Sequence, residues 1–166
     1  MVRSRLALTA GLSALLLAPA GEASPPRQGL VVPGKSLGGV ALGATRADVR
    51  AAWGTRYGVC RDCRAQTWYF NLRRFEPHGT GVTFRRGRAV ALFTMWSPPG
   101  WRTTRGLRIG DPEFRIEALY GSLLRIDCGR YSALTLRRAG VTTSFYVLDE
   151  QVWGFGLSRA GQRVCR

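Results

Sequence analysis

The four cysteines, Cys60, Cys63, Cys128 and Cys165, are the residues whose type and spacing best define a chemical role in this sequence. An even number of cysteines predicts two disulfides if the chain is exported, as its N-terminus (below) indicates, and three pairings are then possible. Two similar segments, described below, end shortly before Cys60 and Cys128, which favours Cys60–Cys63 and Cys128–Cys165. A redox-active Cys-x-x-Cys motif would open a helix after a strand, whereas this one follows a predicted helix.

A Gly-x-Ser-x-Gly motif at residues 34–38 matches the nucleophile elbow of serine hydrolases. That motif requires a strand before the serine and a helix directly after it. Here Pro33 precedes the motif, and the next predicted helix begins well downstream. His78 is the one histidine and so the one candidate base, and it lies between Pro77 and Gly79 in a predicted loop. We therefore expect the match to be accidental.

Other signals of catalysis or cofactor binding are weak. The acidic residues form no evident pair, although two of them could meet in space as in a glycosidase. Cys128 and Cys165 have no close partner ligands for zinc. The glycines form no phosphate-binding loop. The sequence therefore predicts a protein that is not an enzyme, with no catalytic residue, no metal and no cofactor.

The N-terminus has the pattern of a secretory signal peptide over residues 1–23. Arg3 and Arg5 precede an apolar run at residues 6–17, and small residues follow at 18–23. The run is shorter than the roughly 20 residues that a membrane-spanning helix needs. Cleavage is therefore predicted rather than anchoring, and with it a secreted protein that has no integral membrane span.

Positive charge dominates the composition, with 25 Lys and Arg against 10 Asp and Glu and a formal net charge of +15. Such a field attracts acidic protein surfaces and anionic polymers. The basic residues are scattered along the chain, so no specific nucleic-acid motif is predicted. The base composition of a GC-rich genome, which favours arginine codons, is an alternative explanation for the positive charge. It explains why the basic residues are almost all arginine, but it does not explain why basic residues outnumber acidic ones.

Two segments of one pattern occur at residues 39–54 and 106–121, with glycines at three matching positions and similar apolar residues between them. A repeated segment predicts a fold built from two copies of one unit. Each segment predicts a short helix that ends at a glycine, Gly54 or Gly121.

The predicted helix starts rest on capping residues. Thr45, with Asp48 three residues later, has the pattern of a capping box and places the first helix at 46–53. Asp111 is the predicted N-cap of the second helix, and Pro112 its first residue. Helical spacing puts two apolar sets on the buried faces: Val49, Ala52 and Trp53 in the first helix, and Ile116, Leu119 and Tyr120 in the second.

After each helix the apolar period changes to two, which is typical of strands. The predicted strands are 67–72, 81–85, 88–95, 132–137, 141–148 and 152–158. The predicted fold is α+β, a tandem repeat of a short helix plus three antiparallel strands, with the helices packed on one face of the sheet. The predicted divisions are a signal peptide at 1–23, an extended segment at 24–34, and repeat units at 35–97 and 98–166.

The segment from Gly39 to Gly54, followed by Gly81-Val-Thr-Phe-x-x-Gly-x-Ala-Val90, resembles the secreted beta-lactamase inhibitor protein family. It also looks like the small outer-membrane assembly lipoproteins that share this helix-on-sheet unit, although no lipobox is present. The resemblance covers both halves of the mature chain. It implies a secreted, disulfide-bonded tandem repeat that binds enzymes through a concave sheet surface, and it assigns no contact residue here.

Exposed tryptophan, tyrosine and arginine are favoured at interfaces. Trp53 and Trp68 are predicted to be core, whereas Tyr69 and Tyr146 are predicted to be exposed on the face opposite the core. The candidate binding residues are Tyr69, Asn71, Arg85, Trp96, Trp101, Arg137 and Tyr146.

We expect a secreted, monomeric, non-catalytic binding or inhibitor-like module that contacts an acidic protein surface or an anionic polymer. The alternative is a small secreted hydrolase that acts on an anionic cell-wall or extracellular substrate.

Overall fold

The computed structural model describes residues 28–60, 65–70, 79–95 and 100–166. The predicted signal peptide, and the candidate residues Cys63, Asn71, His78 and Trp96, lie outside these ranges. The described part contains two helices, α1 (Arg46–Trp53) and α2 (Phe114–Tyr120). Its strands are β1 (Gly29–Val32), β2 (Ser36–Leu37), β3 (Val40–Ala41), β4 (Gly58–Val59), β5 (Gln66–Phe70), β6 (Gly79–Arg85), β7 (Arg88–Met95), β8 (Trp101–Thr103), β9 (Leu124–Asp127), β10 (Ser132–Arg138), β11 (Val141–Leu148) and β12 (Gln151–Arg159).

Eight of these strands form one antiparallel sheet in the order β4-β5-β6-β7-β12-β11-β10-β9. Successive strands are neighbours except at the centre, where β7 pairs with β12 and places Leu92 opposite Leu157. That pairing joins the strands that follow α1 to the strands that follow α2. The two chain segments therefore share one continuous sheet.

The other four strands form a small sheet in the order β3-β2-β1-β8. Within it, β1 runs parallel to β8, with Val31 opposite Thr103. Trp101 of β8 is fully buried, and its ring lies so close to Gly29 and Gly38 that a side chain at either glycine would meet it. The backbone N–H of Gly34 donates to Thr143 Oγ1 at 2.8 Å and ties the β1–β2 turn to the large sheet.

One face of the large sheet carries the main apolar core, together with both helices and the small sheet. Trp53 of α1 is 1% exposed, donates its indole N–H to Gly38 O at 2.8 Å, and meets the Phe70 ring edge-on at 5.3 Å. Tyr120 of α2 lies 4.6 Å from the Phe145 ring, centroid to centroid. The prediction that Trp53 is a core residue is confirmed, as is that for Trp68, which is 3% exposed.

The predicted α+β tandem repeat of a helix plus three antiparallel strands is wrong. Strands account for 52% of the described residues and helices for 12%, which makes the fold mostly β. Each helix is followed by four strands of the large sheet rather than three. The sequence-based prediction missed the short edge strands β4 and β9. The small sheet was missed as well, including β1 in the stretch predicted as an extended entry segment.

The start of α1 agrees with its capping signal, and the start of α2 does not. Thr45 Oγ1 accepts from the Asp48 N–H at 3.1 Å, and Asp48 Oδ2 accepts from the Thr45 N–H at 2.7 Å. Asp111, the predicted cap of the second helix, instead accepts from the Arg108 N–H at 2.7 Å. As a result α2 begins only at Phe114, without a side-chain cap.

Replacing Gly154 of β12 by alanine tests the close contact of β12 with β7. A Cβ atom there would lie 2.3 Å from Thr94 O, and because that atom belongs to the backbone it cannot rotate away. We expect Gly154→Ala to lower the free energy of unfolding by about 1–3 kcal/mol, the usual cost of overpacking. Urea denaturation followed by circular dichroism measures the change.

Gly58→Ala is the matched control, because no neighbouring heavy atom lies within 4 Å of the added Cβ atom. We expect little change for it. Equal stabilities of the two variants would contradict the β7–β12 contact as described.

Candidate functional site

The strand register decides which arginines of the large sheet lie together. Thr83, Ala91, Ser158, Thr142 and Arg137 stand side by side across five neighbouring strands. The β6–β7 turn, the β10–β11 turn and the last residue of β12 lie just beyond this row, at one end of the sheet. Residues far apart in the sequence therefore meet at this end.

This end carries a group of exposed arginines that we call the basic rim. Its members are Arg46, Arg85, Arg86, Arg88, Arg137, Arg138 and Arg159. Arg46 belongs to it because its guanidinium donates to the Gln66 side chain at the start of β5 and lies 5.7 Å from the Phe84 ring centroid. The scattered bases of the sequence are in part a spatial cluster.

Most rim arginines have no acidic partner within the described part of the chain. The guanidinium groups of five of them form no hydrogen bond or ion pair with another described residue: Arg85, Arg86, Arg137, Arg138 and Arg159. The described ion pairs link Arg115 to Asp111 at 3.1 Å and Arg125 to Glu113, and both lie outside the rim.

Asp48 is the one acidic residue placed beside the rim among the described residues, and it is engaged in capping α1. Hydrogen bonds from Thr45 lower the pKa of the Asp48 carboxyl, with a smaller contribution from the charge of Arg88. Asp48 therefore stays ionised, but its oxygens already accept from Thr45. Among the described residues, no other carboxylate lies beside the rim to pair with its guanidinium groups.

The sheet face opposite the main core carries a second apolar cluster that the C-terminal segment covers. The Tyr146 hydroxyl donates to Val164 O, and the Tyr131 hydroxyl donates to Arg166 O, each at 2.8 Å. The Arg166 guanidinium lies 5.5 Å from the Phe93 ring centroid. The Cys128–Cys165 disulfide, with Cα atoms 5.4 Å apart, fixes the segment in this position.

The pairing predicted for Cys128 and Cys165 is confirmed. Cys60 is disulfide-bonded too, and Cys63, its predicted partner, lies outside the described ranges. No described cysteine is free.

The structure brings together some of the predicted binding residues and separates others. Arg85 and Arg137 belong to the basic rim, whereas Tyr69 is half-buried and lies 5.9 Å from the Phe93 ring. Trp101 and Tyr146 are 0% and 1% exposed, so neither is a surface contact. Tyr146 does lie opposite the main core, but the prediction that it is exposed is wrong, because the C-terminal segment covers it.

The remaining rim arginines were missed by sequence reasoning. Arg86 and Arg88 flank Gly87, and Arg138 directly precedes the Ala139-Gly140 turn. Arginine beside a hairpin turn was the available signal. Which turns share an end of the sheet depends on the strand order, which local patterns do not reveal.

Two negative findings concern the described residues. They contain no group of three or more His, Cys, Asp and Glu side chains placed to hold a metal ion. Neither α1 nor α2 has the length and apolar character needed to cross a membrane.

A scan against protein-family models and a search of curated proteins find no match. Among solved structures, an extracellular protein containing a SCP domain from Bacillus anthracis is similar, with TM-score 0.50 and 9% identity over 72% of this chain and 44% of that one. A DUF4309 family protein (YjgB) from Bacillus subtilis has TM-score 0.50 and 17% identity over 70% of this chain and 78% of that one. YfeY from Escherichia coli has TM-score 0.49 and 10% identity over 80% of this chain and 99% of that one.

At these identities the first two likenesses show a shared fold alone, and this chain spans less than half the length of the Bacillus anthracis protein. None of the three is described as a beta-lactamase inhibitor. Membership of that family stays a prediction.

The covered position of Tyr146 predicts an unusual titration. Burial raises the pKa of its hydroxyl from 10.0 to about 12, although the nearby Arg166 charge acts in the opposite direction. Unfolded tyrosine loses its proton first, so the contribution of Tyr146 to stability is complete below about pH 10 and is lost as the pH rises to about 12. We expect a late step in the absorbance of tyrosinate near 295 nm.

Tyr146→Phe should remove that late step, and Tyr69→Phe on the same sheet face should leave it in place. If the wild-type protein and Tyr146→Phe show the same late absorbance change, Tyr146 is not covered as described.

Proposed function

We propose that this protein is a secreted, non-catalytic binding module whose basic rim holds a partner with several negative charges. The observation that carries the proposal is the exposed row of guanidinium groups that lack partners among the described residues. Arginine presents planar, bidentate donors to carboxylate and phosphate groups. Unpaired arginines at one end of a rigid sheet therefore form a ready surface for acidic protein segments or anionic polymers.

The size of the rim favours an extended partner. It reaches from β6 to β10, which are separated by four steps of about 4.8 Å across the sheet, or roughly 19 Å in all. A single small anion would occupy a fraction of that width. A chain of regularly spaced carboxylates or phosphates could contact arginines on several strands at once.

The described acidic residues favour binding over hydrolysis. None of them is buried, and Asp111 and Glu113 are held in ion pairs with arginines. A hydrolase with a carboxylate acid would instead bury one among apolar side chains, which raises its pKa. The Cys128–Cys165 disulfide, the extracellular structural neighbour and the predicted signal peptide support secretion.

Removing two rim charges tests the location of binding. We expect Arg85→Gln with Arg137→Gln to weaken binding of polyglutamate by about fivefold, because each exposed ion pair contributes about 0.2–1 kcal/mol. Isothermal titration calorimetry at low salt measures the affinity. Raising the salt concentration should weaken wild-type binding further, because salt screens exposed charges.

The matched control is Arg56→Gln with Arg130→Gln, which removes the same net charge from exposed positions at the other end of the sheet. We expect this pair to retain most of the affinity. Equal losses for the two double variants would mean that net charge, rather than the rim, attracts the partner. Polyphosphate in place of polyglutamate shows whether the rim prefers phosphate to carboxylate.

A further inference from the structure

A pocket of about 590 Å³ lies at the end of the sheet opposite the basic rim. Its volume falls within the range of ordinary small-molecule sites, about 300–1,000 Å³. Its walls come from the loop before α2 and from the β11–β12 hairpin: Ile109, Gly110, Leu148, Asp149, Gln151, Val152 and Trp153. It uses none of the rim residues.

The backbone holds the pocket walls in place. The Gly110 N–H donates to Val152 O, and the Val152 N–H donates to Asp111 O, each at 2.8 Å. A register shift after Tyr146 makes Trp153 an extra residue in β12, and its ring lies 5.1 Å from the Tyr131 ring. Packing against Tyr131 therefore fixes the indole of this lining residue.

The chemistry of the walls combines apolar side chains with one carboxylate. Ile109 and Leu148 provide half-buried aliphatic surface, Val152 is 1% exposed, and Trp153 is a half-buried aromatic residue of the kind that attracts cations. Asp149 is exposed and forms no ion pair with any other described residue. We propose that this pocket binds a primary ammonium group carried on an apolar body, with Asp149 as its counter-ion and Trp153 beside it.

The net positive charge of the molecule does not prevent an ammonium group from binding in this pocket. The pocket lies beyond the far end of β11, whose eight residues separate it from the rim by about 25 Å. That distance exceeds the Debye length of about 8 Å at physiological salt, so the nearest charges dominate. The charged residues next to the pocket walls are Asp149 and Glu150 at the hairpin turn, and Arg108 and the paired Asp111 and Arg115 at the loop before α2.

The test uses n-hexylammonium and its neutral analogue 1-hexanol as probes. Proton–nitrogen NMR follows the Trp153 indole signal, assigned by its loss in Trp153→Phe. We expect n-hexylammonium to shift this signal saturably and 1-hexanol to bind about two- to fivefold more weakly, the size expected for one exposed ion pair. A peptide with one lysine shows whether a protein side chain can supply the same ammonium group.

Asp149→Asn removes the counter-ion without disturbing the turn, since asparagine accepts the positive φ of 49° as aspartate does. We expect it to weaken n-hexylammonium binding about two- to fivefold. Glu150→Gln, one residue away but not at the pocket wall, should have little effect. Equal binding of the two probes, or equal loss in the two variants, would overturn the proposal, as would an unmoved Trp153 signal. Polyglutamate binding at the rim should be the same in Asp149→Asn as in wild type, which separates the two sites.

Discussion

The pairing of β7 with β12 is the contact on which the rest of the structure depends. It joins the strands that follow α1 to those that follow α2, and so forms one eight-stranded sheet. Without it, each set of strands would have an open inner edge with unpaired backbone groups. It also gives both helices and the small sheet a single apolar face to cover. Gly154 permits this contact, because a side chain there would meet the β7 backbone.

The same pairing determines where the charge lies. In an antiparallel sheet, successive hairpin turns alternate between the two ends. The β6–β7 and β10–β11 turns and the end of β12 therefore share one end and collect their arginines there. A shift of one residue in the β10–β11 register would move Arg137 to the opposite face. The basic rim is thus a consequence of the strand order, and the β11–β12 hairpin with its pocket lies at the other end for the same reason.

Local signals predicted local structure well and long-range structure poorly. The capping box of Thr45 and Asp48 identified α1, because its hydrogen bonds lie within four residues of one another. The edge strand β4 has two residues and β9 has four, which is too short for a periodic signal. The small sheet depends on the burial of Trp101 against distant glycines. The alternation of apolar residues in the strand predicted correctly on which sheet face Tyr146 lies. Its burial could not be predicted in this way, because it depends on a C-terminal segment held by a disulfide.

Covalent footprinting of the arginines tests most directly whether the basic rim binds the partner. Phenylglyoxal modifies accessible guanidinium groups, and mass spectrometry reports its rate at each arginine with and without bound polyglutamate. If the rim is the binding surface, polyglutamate slows the modification of Arg85, Arg86 and Arg137 and leaves Arg56 and Arg130 unchanged. Uniform protection of all these residues, or protection confined to Arg56 and Arg130, would contradict the assignment of binding to the rim.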